Sequence, residues 1–120
     1  MIFLLLINIL SQEIGIDLQQ ITTTIIEYNT QEELTNRYKE LYNKEVNYIA
    51  FYSQKEDTIY IIKGIDEDLR AEILVHEYIH AIISKHFRCI YSAKIHEIIA
   101  ESLVERLKSK YNLKHLLKEK

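Results

Sequence analysis

Apolar and polar positions alternate along this chain with two different periods. Residues 2–20 carry a broad apolar face and read as a helix, weakened by Gly15. Residues 21–28 are rich in β-branched side chains and predict a strand. Thr30 predicts the cap of a helix over about 31–43, with Glu33 three residues on completing a capping box. Leu34, Tyr38, Leu41 and Tyr42 then share one face of that helix. Two strand-like runs follow, 46–52 and 58–63, and the residues between them, 53–57, have the length of a hairpin loop. Asp66 has the character of an N-cap, with Glu67 and Asp68 in the first turn of a helix that runs to Lys85 or His86. Lys85, His86 and Arg88 fall at its C-terminal end. Ser92 predicts a second cap and a helix to about Lys110, and a short helical tail covers 112–118. This order predicts an α+β domain with a small, mostly antiparallel sheet.

Composition narrows the function classes. A chain of 120 residues has room for a single domain. It has no proline and only two glycines, Gly15 and Gly64, so glycine-rich phosphate loops are excluded. One cysteine, Cys89, excludes an internal disulfide and a multi-cysteine zinc knuckle. A net charge of −3 argues against nucleic acid as a partner. The apolar run 1–10 is too short to span a bilayer, which takes about 20 such residues. It lacks the basic start and small-residue cleavage site of a signal peptide. It is expected to be a buried helix or strand of a cytoplasmic protein, with membrane association or secretion left open.

The candidate chemistry lies at residues 76–80, His-Glu-Tyr-Ile-His. Two histidines four apart on a helix differ by about 40° around the axis and about 6 Å along it. Both rings therefore reach one metal ion from one face. Glu77, about 100° from His76, is placed to take a proton from a metal-bound water rather than to ligate. With 5 histidines in 120 residues, chance supplies roughly 0.02 matches to this pattern. Burying two histidines and a glutamate without a metal would also leave several polar groups to satisfy.

A zinc site needs a third protein ligand. On a continuing helix His86 stands about 15 Å from His76 along the axis and is out of reach. A turn back at Ile83 is opposed by its branched side chain, so His86 reads as a charge near the helix C-terminus. The next helix offers Glu97 and Glu101, one turn apart with small Ala100 between them. An antiparallel return can bring Glu97 opposite the histidines as the third ligand, with Glu101 then expected to orient a ligand ring from behind; Glu101 itself stands as the alternative third ligand. Glu105 reads as part of a solvated stripe with Arg106 and Lys108.

These residues, His76-Glu77-Tyr78-Ile79-His80 and then His96-Glu97-Ile98-Ile99-Ala100-Glu101, resemble a gluzincin zinc metallopeptidase. Glu101 replaces the aspartate usual in the glutamate helix of that family. The predicted order of strand, backing helix, hairpin, active-site helix and glutamate helix is similar to the family's zincin-like N-terminal half. The length is similar to that of the single-domain minigluzincins. The resemblance implies one Zn²⁺ per chain held by His76, His80 and Glu97, with Glu77 as general base and acid. It also implies a peptide or protein substrate lying along residues 58–62 as an edge strand.

Oxyanion stabilisation then needs a further group, for which Tyr91, His96, Tyr111 and His115 are candidates. The tail 111–120 reads either as a basic helix end covering the core or as a plug over an open cleft. A plug, with His115 near the metal, would make a latent enzyme. Two other function classes stand beside the peptidase. One is a metal-binding but non-catalytic regulatory or interaction module. The other is a metal-free helical protein that docks through its apolar N-terminus.

Overall fold

The computed structural model describes residues 3–87 and 92–118. Its described elements are α1 (Leu4–Ile14), β1 (Thr24–Tyr28), α2 (Gln31–Tyr42), β2 (Ala50–Ser53), β3 (Thr58–Ile62), α3 (Glu67–His86), α4 (Ala93–Lys110) and α5 (Leu113–Leu116). The result is a compact α+β fold with five helices and a three-stranded sheet among the described residues.

Local side-chain chemistry sets most helix boundaries. Asp66 accepts from the backbone N–H groups of Asp68 and Leu69, which starts α3 at Glu67. The Ser92 hydroxyl accepts from Ile95 N–H and starts α4, and Thr30 caps α2 by accepting from Glu33 N–H. Helix α1 is shorter than the 2–20 expected. Gly15, at φ +79°, takes the left-handed conformation that ends a helix, and its N–H closes on Ser11 O.

The sheet has the order β1-β3-β2. The pair β2–β3 is antiparallel, as a hairpin requires, but β1 pairs with β3 in parallel. The expected mostly antiparallel sheet is therefore mixed. Helix α2 separates β1 from the hairpin, and β1 fills the side of β3 that β2 leaves open. A second expectation fails with it. Thr58–Ile62 is the central strand, paired on both sides, and the free edge next to the hairpin belongs to β2.

The sheet separates two apolar clusters. On one side Ile59 and Ile61 join α1, α3, α4 and α5 in the main core, which includes Leu6, Val75, Tyr78 and Leu107. On the other side Phe51 and Tyr60 pack with Leu34 of α2. Leu6, Ile7 and Leu10 of α1 are buried, so the apolar N-terminal run is a core helix. Among the described residues no helix is long and apolar enough to cross a membrane.

Helix α4 runs back along α3. Buried Ala100 lets the two approach, and Lys108 pairs with Glu72 at 2.7 Å on the N-terminal half of α3. Glu97, at the other end of α4, therefore faces the middle of α3. The described part of the C-terminal tail does not line the cleft beside His80. Leu113 and Leu116 pack into the main core, and Lys114 pairs with Asp68 at 3.1 Å near the start of α3. Apolar burial and this ion pair draw the tail toward the α3 N-terminus, and His115 is exposed.

Candidate metal centre

One face of α3 meets the first turns of α4. The spacing of four places His76 and His80 on that face, with their Nε2 atoms 3.2 Å apart. Glu97 of α4 spans both: its Oε1 is 2.7 Å from His76 Nε2, and its Oε2 is 3.3 Å from His80 Nε2. Ligands of a tetrahedral zinc, each about 2.0–2.1 Å from the ion, stand about 3.3 Å from one another. The two ring nitrogens and the Glu97 carboxylate have close to that spacing. Ligand atoms of His76, Glu77 and His80 also lie within 4.8 Å of one another, and this group could hold a metal ion.

Glu77 is the unusual member. It is 8% exposed, and its Oε2 is a buried side-chain oxygen with no hydrogen-bond partner among the described residues. Such an atom is costly to leave unpaired, by about 1–3 kcal/mol. Burial, followed by the neighbouring Glu97 carboxylate, pushes the Glu77 carboxyl up to about 8. His80 moves the other way: burial and then the adjacent His76 hold its ring below the ordinary histidine range. Both shifts oppose charge on groups that are buried among other ionisable side chains. A bound divalent cation would reverse that preference, because it favours a carboxylate and an unprotonated imidazole. The orphaned carboxylate oxygen and the two converging nitrogens thus fit a metal site.

Of the other predicted site residues, His96 is brought in and the rest are not. Glu101 is exposed one turn along α4, and among the described residues it bonds neither histidine. Both glutamates are exposed, but it is Glu97 that the crossing of α3 and α4 sets against the histidines, so the expected orienting role of Glu101 is not supported. The ring of His96, beside Glu97, stacks parallel to His80 at 6.0 Å. His86 hydrogen-bonds Gln19 O at 3.2 Å, away from the centre. Of the oxyanion candidates, His96 lines the cleft, Tyr111 lies near the start of α3, and Tyr91 is outside the described residues. Arg88 and Cys89 are outside them too.

The centre opens into a cleft of about 830 Å³ between the free edge of β2 and the α3–α4 pair. Sequence reasoning did not assemble its far wall. Lys85 pairs with Asp57 at 2.6 Å, and Asp57 also accepts from the Tyr52 hydroxyl at 2.9 Å. Burial and that hydrogen bond hold the Tyr52 phenol above its usual range. These residues come from α3, β2 and the hairpin loop, so no local spacing announces them. Comparison with protein-family models, with curated proteins and with solved structures finds no match to this chain.

Proposed function

We propose that the protein is a small zinc-dependent endopeptidase of the gluzincin type. The observation that carries this reading is the convergence of His76, His80 and Glu97 beside a buried glutamate that lacks a partner. When bound, Zn²⁺ would supply Lewis acidity toward a peptide carbonyl and toward the attacking water. His76, His80 and Glu97 would hold it.

The rest of the chemistry belongs to the chain. The Glu77 carboxylate takes the proton that water loses as its oxygen adds to the peptide carbon. It then gives that proton to the departing amine as the C–N bond breaks. Glu77 Oε2 has no other partner among the described residues, which leaves that oxygen available to the water. His96 borders the same cleft and is a candidate to meet a developing oxyanion.

The substrate path follows β2 rather than β3, because only β2 offers a free edge beside the centre. Ile49 O accepts from Ile62 N–H. By the alternation of an antiparallel pair, the N–H and C=O of Ala50 and Tyr52 then point outward. They can add an extended peptide as a further strand.

The test is hydrolysis of a mixed peptide library by the zinc-loaded protein and by Glu77→Gln. Cleavage that falls about 10²–10⁴-fold in the variant, with zinc retained, is the expected result. Zinc-loaded protein that cleaves nothing would leave a metal-binding interaction module in place of the enzyme.

A further inference from the structure

The cleft beside the metal centre has a second wall, built by the opposite face of the sheet. Tyr38 and Tyr42 of α2, Tyr48 before β2, and Phe51 within it form one aromatic group. Tyr38 lies 4.9 Å from Tyr42, 5.1 Å from Tyr48 and 5.0 Å from Phe51, ring centre to ring centre. All four line the cavity that holds His80 and Glu97. Phe51 is buried, whereas Tyr48 is 42% exposed although it is a large ring. Its ring meets Tyr38 edge-on, at 72°.

We infer that this aromatic group is a specificity subsite that selects a large aromatic side chain on the bound peptide. The inference rests on the peptide-cleft reading given above. A strand added to β2 turns alternate side chains to the two faces of the sheet. Those on the α3 face meet the metal centre. Those on the α2 face meet Tyr48, Tyr38 and Tyr42, which are already arranged in the edge and tilted geometries that aromatic rings favour. Among the described residues, the cations beside these rings already have partners. Arg37 is paired with Glu40 and Glu56, and Lys55 sits over the Tyr42 ring while bonding Leu41 O. A small or acidic side chain would leave the rings in water or lose its own hydration.

The test is binding rather than turnover, so that it stands apart from catalysis. Short fluorescent peptides, identical except for Phe, Ala or Asp at one central position, are titrated into the full-length Glu77→Gln protein loaded with zinc. The Phe peptide is expected to bind about 2- to 12-fold more tightly than the Ala peptide, the range for one added aromatic contact. Tyr48→Ala, an exposed substitution that leaves the buried Phe51 in place, is expected to bring that ratio close to one, and Tyr48→Phe to preserve it. Equal binding of the three peptides, a Phe preference untouched by Tyr48→Ala, or no peptide binding at all would overturn the subsite. Phe-selective binding by a protein that cleaves nothing would instead overturn the peptidase reading and leave the subsite standing.

Discussion

Glu77 and Tyr78 are neighbours on α3, and both are buried, yet their polar atoms are treated in opposite ways. The Tyr78 hydroxyl donates to Ile21 O at 3.0 Å, and Phe3 packs edge-on against its ring. Glu77 Oε2 has no partner among the described residues. The two side chains lie about 100° apart on the helix, so one faces the closed core and the other the cleft. The core face is fully paired because nothing has to enter it. The cleft face keeps two histidines and a glutamate in contact with one another and, beside them, an orphaned oxygen that a bound ligand would satisfy. A buried polar group with its partner in place holds the fold, and one without a partner marks where a ligand is expected.

The largest effect expected from breaking this contrast is on the cleft face. His80→Ala should weaken zinc binding beyond the 10–100-fold that loss of a mere supporting group costs, roughly, and competition with a coloured chelator reads it directly. The variant should keep its helical circular dichroism, because His80 contributes a ring to the cleft and not to the main core.

A second effect separates the faces by pH. In metal-free protein the Glu77 carboxyl rises from its ordinary 4.5 to about 8. The folded state then holds a proton that the unfolded chain has released, so stability falls as pH rises across that window. Denaturation in the presence of a chelator should show this decline. Glu77→Gln should flatten it, and a slope unchanged in the variant would place its source elsewhere.

The smallest effect is on the core face. Tyr78→Phe leaves Ile21 O without its donor and should cost about 1–3 kcal/mol in denaturant unfolding. Zinc affinity should not change, because the hydroxyl points away from the centre.

What the sequence disclosed follows the range of the forces involved. The α3 and α4 starts were legible because Asp66 and Ser92 bond backbone groups two or three residues away. The His76–His80 pair was legible because helical geometry alone brings four-apart side chains together. Glu97 followed from one further step, an antiparallel return helix with Ala100 at the close approach. Everything that depends on long-range pairing was harder. Strand order is set by which edge β1 finds, and the residues of β3 carry no mark of being central. Glu101 and Glu97 differ by a single turn, and only the crossing of α3 and α4 decides which one faces the histidines. The tail was read as a possible plug, but Leu113 and Leu116 found more apolar surface in the core. The tyrosine wall gathers α2, the approach to β2 and β2 itself, a grouping that no single periodicity encodes.

The central claim is that α3 and α4 together make one metal site. Native mass spectrometry of the purified protein, beside Glu97→Ala, tests it most directly. The account predicts one zinc per wild-type chain that survives removal of free metal and is lost or weakened in the variant. Zinc held equally by both proteins would contradict Glu97 as the third ligand, and no zinc on the wild-type chain would contradict the metal site itself.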